Sequence, residues 1–349
     1  LVTNDTTSGE TLAFSGSGTV SSANVQNNQS ITLGSIAIAD GSGGGLASNY
    51  NLTTGTFDIS QKWVSVGGQK IYDATTTVSS SDLEVTGEVT GESISITGTG
   101  SVTDKNVGSG KTIDISGLSL SDGSHSASNY TIGTTSFAIT RRNLSISGEK
   151  VYDGTGTVLA SQIDTVNTAG GETLTISGEG SVSLPSVGTN KSITLNTLGI
   201  SDGTNGTIGL ASNYTLDSGS FDITTKPITL SGSRQYDGTT DAASSDLTLI
   251  GQVSGESISI TGTGSVTDKN VGAGKTINTT GLSLADNTSN ASNYSLSTGT
   301  FTINNKILSI SGTRAYDGST TVSSGNISLN GFIGSETLNK SGSVSTSSP

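Results

Sequence analysis

The feature that most constrains this chain is that it repeats itself about every 80 residues. The triplet Tyr-Asp-Gly, once Tyr-Asp-Ala, begins at Tyr72, Tyr152, Tyr236 and Tyr316, at spacings of 80, 84 and 80 residues. Ala-Ser-Asn-Tyr ends at Tyr50, Tyr130, Tyr214 and Tyr294 with the same three spacings. Gly-Glu-Ser/Thr places its acid at Glu92, Glu172 and Glu256, and a looser Gly-Ser-Glu-Thr places one at Glu336. Residues 91–113 and 255–277 differ only where Ser109 becomes Ala273. A fixed period of this length means a tandem array in which each unit is one folding module. Arrays supply length and multiplicity, which points away from a single catalytic centre.

The 84-residue spacing locates an insertion. SDGSHSASNY (121–130) becomes SDGTNGTIGLASNY (201–214), four residues longer. Extra residues are absorbed most cheaply in loops, where closure entropy grows slowly with length, so this segment is expected to be a loop. The repeats divide the chain into a partial module over 1–60, whole modules over 61–141, 142–225 (with the insertion) and 226–305, and a truncated module over 306–349. A chain that starts and stops within a unit and contains no methionine is expected to be a segment of a longer protein.

Forty-nine glycines, three prolines and 4% aromatic residues leave each module few large side chains, so its core must be thin. Such a lean composition also fits disorder, but β-branched residues recur at equivalent alternating positions in every copy, which favours folded modules. There are no cysteines, which excludes disulfides and thiolate metal sites. A net charge of −13 spread without blocks offers nothing to neutralise phosphates, so no nucleic-acid partner is expected. No run approaches the ~20 apolar residues of a membrane helix, and no membrane insertion of this segment is expected.

Strand alternation runs throughout and no segment has a helical period. In KTIDISGLSLSDG (111–123), Ile113 and Ile115 alternate with Asp114 and Ser116, and Leu118 and Leu120 come next with shifted parity, which places a bulge or kink at Gly117. Ile94 and Ile96 make another strand, repeated at Leu174/Ile176 and Ile258/Ile260. The fold class expected is all-β, a tandem array of small β-sandwich or roll modules of ~80 residues forming an elongated rod. Modules close on Phe-x-Ile (Phe57/Ile59, Phe137/Ile139, Phe221/Ile223, Phe301/Ile303), and five residues later comes the next apolar pair (Val64/Val66, Leu144/Ile146, Ile228/Leu230, Leu308/Ile310). That odd spacing flips the inward face of a continuous strand. The link carries Lys62, Arg142, Lys226 or Lys306 and no Gly/Ser spacer, so a stiff connection is expected.

The candidate ligand-binding residues are the tyrosines of the triplet, Tyr72, Tyr152, Tyr236 and Tyr316, because tyrosines and carboxylates line many sugar sites. The competing structural reading, favoured by recurrence once per module, has Tyr filling the thin core and Asp-Gly making a turn. The Asn-Tyr pair reads the same way. Gly-Glu-Ser/Thr before an alternating strand reads as a hairpin turn. Pairing Glu92 with Asp73 as glycosidase carboxylates would need a deep cleft in every small module, so no catalytic residue is assigned. Asp40, Asp122, Asp202 and Asp286 lie in loops, but the sequence lacks an Asp-x-Asp-x-Asp-Gly loop and the Gly-Gly-x-Gly-x-Asp nonapeptide. No metal or cofactor is assigned, and Ca2+ stays open as an alternative. His125, the only histidine, reads as a solvated loop residue, and Trp63, the only tryptophan, as either junction packing or an isolated exposed ring.

The ordered set KIYDATTT (70–77), KVYDGTGT (150–157), RQYDGTTD (234–241) and RAYDGSTT (314–321), with TDKNVGSGK (103–111) and TDKNVGAGK (267–275), then Asn-Tyr-x-Leu and Phe-x-Ile, resembles the YDG repeat domains. These are related to the mostly-β, glycine-rich repeats of large bacterial haemagglutinin-like adhesins. Ala74 in place of glycine and SLPSVGTNK (183–191) in place of the Asp-Lys-Asn segment depart from the pattern and weaken any private role for Asp104 or Asp268. The resemblance implies an extracellular or cell-surface fibrous protein, typically Gram-negative and exported by two-partner secretion, acting in attachment or biofilm cohesion. It assigns no ligand. The functional expectation is a non-enzymatic stalk or filament segment whose partners are further copies of itself, extracellular polysaccharide or a host or cell surface. The alternative is a carbohydrate-binding array.

Overall fold

A computed structural model describes residues 9–346; the outermost residues of the two partial modules, 1–8 and 347–349, lie outside the described residues. The chain forms two compact units, one comprising Leu1–Leu144, Asn167–Thr175 and Ser201–Leu216, the other Ser145–Val166, Ile176–Ile200 and Asp217–Pro349. The described residues are all-β: short strands linked by turns and single 3-10 turns.

In the first unit, module 61–141 is built from two four-stranded sheets. One has the order Leu83–Thr86, Lys62–Ile71, Tyr130–Thr140, Gly108–Lys111. The other sets Ile113–Asp114, Leu118–Asp122 and Thr77–Ser79 against the long strand Ile94–Val102. Alternation dictates which side chains face inward. Val64 and Val66 are buried between exposed Trp63 and Ser65, and Phe137 and Ile139 are buried on the partner strand. Val64, Ile94 and Tyr130 form one core cluster, with Val85, Leu120 and Ala127 against it.

The parity shift at Gly117 is a tight turn, with the Leu118 amide donating to the Ile115 carbonyl at 2.9 Å. Asp114 pairs with Ser101 and Leu118 with Gly98, so three residues oppose two on the partner strand. The excess residue demands close approach: a Cβ on Gly98, whose φ is +93°, would stand 2.1 Å from the Gly117 carbonyl oxygen.

The second unit contains module 226–305, whose strand order Asp241–Ala243, Ile258–Val266, Gly272–Asn278, Thr300–Asn304, Lys226–Gln235, Leu247–Ile250 repeats this pairing. Its core joins Leu230, Ala242, Val266, Ile277, Leu282, Phe301 and Ile303. In the truncated module, Ser309–Gly312 pairs with Ile327–Asn330 and Thr321–Ser323 with Ser343–Ser345.

Two features of the topology set the geometry of the module ends. First, the strand that opens a module pairs in parallel with the strand that closes it. Tyr130 lies opposite Lys62 and Thr140 opposite Ile71, with Gly133 the extra residue at a register shift. In module 226–305, Ser231–Gln235 pairs in parallel with Thr300–Asn304. Second, a single residue separates successive modules at two junctions: Arg141 lies between Tyr130–Thr140 and Arg142–Val151, and Thr225 between Ser220–Thr224 and Lys226–Gln235. Ile139 and Leu144, five residues apart, are both buried, as are Ile223 and Ile228.

One sequence expectation is corrected. The Gly91-Glu92 turn forms, with the Glu92 amide donating to the Val89 carbonyl at 2.9 Å. It is not a hairpin turn, because the flanking strands Leu83–Thr86 and Ile94–Val102 belong to different sheets. The inward faces of both strands are needed on opposite sides of the core, so the turn carries the chain across it.

Candidate functional site: a tyrosine–glutamate latch between modules

The basic residue two before each triplet tyrosine has its side chain inside the module. Lys70 is buried, and its ammonium donates to Asp73 Oδ1 at 2.8 Å and Oδ2 at 3.0 Å, to Thr75 Oγ1 at 3.0 Å and to the Thr77 carbonyl at 2.6 Å. Asp73 Oδ1 also accepts from the Thr75 amide at 2.9 Å. Lys150 repeats the cage with Asp153, Thr155 and Thr157, and Arg234 fills the same place with Asp237 and Thr239. Burial pushes the Asp73 and Asp153 carboxyls up, but these donors outweigh it and leave both below the ordinary carboxylate value. The glycine of the triplet is needed for a left-handed turn: Gly154 and Gly238 both have φ of +82°, and Ala74 is held at +66° in the one copy that lacks glycine.

With the turn fixed, the tyrosine projects from the end of its module. Tyr72 is fully buried, and its hydroxyl donates to Glu172 Oε1 at 2.7 Å, one hundred residues on in the next module. Tyr214, from the Ala-Ser-Asn-Tyr of that module, donates to Glu172 Oε2 at 2.8 Å. The two rings meet edge to face, 5.5 Å between centroids and 78° between planes. Lys105 reaches Glu172 Oε1 at 2.8 Å, and the Ala169 amide donates to the Tyr214 hydroxyl at 3.1 Å. Both carboxylate oxygens are therefore taken by donors. Burial raises the Glu172 carboxyl, but donation from Lys105, Tyr72 and Tyr214 prevails and holds it below its ordinary value. Burial and the adjoining carboxylate push the Tyr72 and Tyr214 hydroxyls up.

The four-residue insertion closes over this cluster. The Thr173 amide donates to the Thr207 carbonyl at 2.8 Å, and a Cβ on Gly209 would lie 3.1 Å from the Glu172 side chain. Glu172 is 3% exposed as a result.

The second unit contains the same arrangement. Tyr152 donates to Glu256 Oε1 at 2.6 Å and Tyr294 to Glu256 Oε2, with the rings 5.6 Å apart at 79°. Burial raises both hydroxyls. Pro185 stands where Lys105 does in the first latch, so this carboxylate lacks an ammonium from that position. Tyr236 and Glu336 are bonded in the same sense.

The asparagine of Ala-Ser-Asn-Tyr ties the other side of each junction. Asn213 Oδ1 accepts from the Val107 amide at 2.9 Å while its Nδ2 donates to Asn106 Oδ1 at 2.8 Å. Asn129 does the same with Val25 and Asn24, and Asn293 accepts from Val187. The loop around Val25, Val107 and Val187 is thus what the following module grips.

Of the candidate ligand residues, Tyr72 and Tyr152 are buried in latches, Tyr236 is half-buried and bonded to Glu336, and Tyr316 is 85% exposed. Glu92 accepts from Tyr130, and Asp73 is held by Lys70 and Thr75, so these two carboxylates serve different networks. The four aspartates expected in loops instead end strands (Ala37–Asp40, Leu118–Asp122, Gly199–Asp202 and Leu282–Asp286), and their carboxylates cap the 3-10 turns that follow, accepting from the amides of Ala47, Ala127, Ala211 and Ala291 at 2.7–2.8 Å. Among the described residues no group of three or more His, Asp or Glu side chains is placed to hold a metal. His125 shares a 2.9 Å hydrogen bond with Ser124. Trp63 is 73% exposed.

Sequence reasoning misses the meeting of Tyr72, Glu172 and Tyr214. The available signal is that the three motifs keep the same 80, 84, 80 spacing, insertion included. What the arrangement does chemically is cohesion: a carboxylate saturated by two phenols locks one module onto the next.

A family model described as YDG domain matches residues 61–137, 140–221 and 223–302. No curated protein matches the chain.

Proposed function

Since the chain belongs to the YDG domain family, a tandem array of such repeats, we propose that it is a load-bearing segment of an extracellular stalk or filament, of the kind found in bacterial adhesins and biofilm-matrix proteins. The observation that carries this reading is the parallel pairing of opening and closing strands. The chain enters module 61–141 at the Lys62 end of one strand and leaves at the Thr140 end of its neighbour. Tension along the chain therefore shears the ladder, loading its hydrogen bonds together instead of peeling them singly. The latches add a second resistance, because each closes over a carboxylate, buried at Glu172 and half-buried at Glu256, whose donors come from both modules. In this role the segment acts at the cell surface or in the matrix, by length, stiffness and many weak lateral contacts that add through effective concentration. Its partners are further copies of the same protein and surrounding surfaces or polymers.

Pulling the full chain by its ends in a force spectrometer tests this. Each whole module should unfold as a separate peak releasing roughly 250 Å of chain, by the reach of ~80 extended residues. A featureless extension, with no module-sized steps, would remove the load-bearing reading.

A further inference from the structure

One module carries a surface that its sisters lack. On the opening strand of module 61–141, Trp63, Ser65, Gly67 and Gln69 alternate with the inward Val64, Val66 and Lys70, so they share the outer face of the sheet. The Trp63 ring is 73% exposed and lies over Gly133, the extra residue of the closing strand, where a Cβ would come within 3.0 Å of the indole. Sister modules have Asn143, Pro227 and Ile307 at the tryptophan position and Asp217 and Ser297 at the glycine position. They also fill the Gly67 position with Ser147, Ser231 and Ser311. Only this module, then, pairs a flat aromatic ring with two glycines that clear the sheet around it.

Beyond the ring, the same face opens into a groove of about 370 Å³ that passes Ser65, Gly67, Glu84 and Thr134. A trough of about 600 Å³ continues it past Gly68, Gln69 and Glu84. The Ser65 and Thr134 hydroxyls share a 2.7 Å hydrogen bond at the head of the groove. From Trp63 to Gln69 the outward positions span roughly 20 Å. The ionic groups along it are acidic, Glu84 and Asp82, within a chain of net charge −13.

We propose that this face binds an uncharged, extended hexopyranose chain. The apolar face of one sugar ring stacks on Trp63, and its neighbours run along the strand with their hydroxyls paired to Ser65, Thr134, Glu84 and Gln69. The aromatic platform suits a sugar's apolar ring face, the groove supplies directional polar partners, and the acidic lining repels anionic polymers. The site is independent of the stalk reading: it needs only module 61–141.

Because Trp63 is the only tryptophan, the indole emission of the full chain reports on this site alone. Titration with cellohexaose or β-1,4-mannohexaose should shift that emission saturably, and polygalacturonate should not. In calorimetry, Trp63→Asn should weaken oligosaccharide binding by about tenfold or more with unchanged thermal unfolding. Gly67→Ser, which places a sister residue in the groove, serves as the second variant and should also weaken binding. The proposal is overturned by an unsaturable or absent response to both oligosaccharides, by equal binding in both variants, or by polygalacturonate binding as tightly. An emission shift that tracks protein concentration without sugar would overturn it in favour of self-association through the ring.

Discussion

Tyr72 and Glu172 stand one hundred residues apart in the chain and 2.7 Å apart in space. Each belongs to a motif that recurs once per module, and the bond between them is what the recurrence is for. The tyrosine follows the opening strand of one module, the glutamate belongs to the next, and Tyr214 of that next module holds the glutamate's other oxygen.

Removing either partner should loosen the junction, and removing both should cost less than the sum. Tyr72→Phe and Glu172→Gln are each expected to destabilise the first unit by about 1–3 kcal/mol, as for hydrogen bonds to a charged group. In chemical denaturation of the full chain, the double variant should show a coupling energy above the ~0.5 kcal/mol of independent sites.

The latch should fail at both ends of the pH scale, for different reasons. Glu172 sits below its ordinary value when folded, so its contribution is complete above about pH 4 and is lost as pH falls through the lowered folded value. Tyr72, Tyr152 and Tyr214 sit above theirs, so their contribution is complete below about pH 10 and declines as pH rises past it. Stability of the full chain measured against pH should be flat between these limits. Glu172→Gln should lessen the acid loss.

The latches at Glu172 and Glu256 should differ in their response to salt. Lys105, with a side chain 39% exposed, pairs with Glu172, and Pro185 occupies its position in the second latch. Lys105→Ala should cost no more than about 1 kcal/mol, since a partly exposed pair is screened. It should also reduce the salt dependence of the first unit's unfolding.

The cage around Lys70 should accept arginine and reject an apolar chain. Lys70→Met strands Asp73 and the Thr77 carbonyl and is expected to cost about 2–3 kcal/mol. Lys70→Arg introduces the residue that Arg234 already supplies in a sister module and should retain most of the stability in the same denaturation assay.

Ala74 is held at a φ that glycine adopts freely in the sister copies. Ala74→Gly should therefore stabilise the first unit by about 0.5–1 kcal/mol, the relieved left-handed strain exceeding the added chain entropy. A shift of the unfolding midpoint to lower denaturant would contradict this.

Much of the fold is legible in the sequence because alternation is a local signal. Val64/Val66, Phe137/Ile139 and Leu144/Ile146 read as inward pairs and are buried. The parity break at Gly117 is visible because a single glycine interrupts an otherwise regular strand. Which strands pair is not legible. The parallel match of Lys62–Ile71 with Tyr130–Thr140 joins segments separated by most of a module, and no local pattern encodes that register. The same limit hides the latch. Tyr72 reads as filling its own core, whereas it is buried at the module end against Tyr214. Glu92 reads as a turn residue, and its turn exists, but the carboxylate's role depends on a tyrosine 38 residues on.

The claim that successive modules are locked together is tested most directly by hydrogen exchange at the Val107 amide. Its partner, Asn213 Oδ1, belongs to the next module at 2.9 Å, so its protection exists only while the two are docked. In the full chain Val107 should exchange as slowly as the sheet amides of the first unit, and Glu172→Gln should speed it selectively. Exchange at the rate of an open loop in the unaltered protein would contradict the account and leave the modules as independent beads.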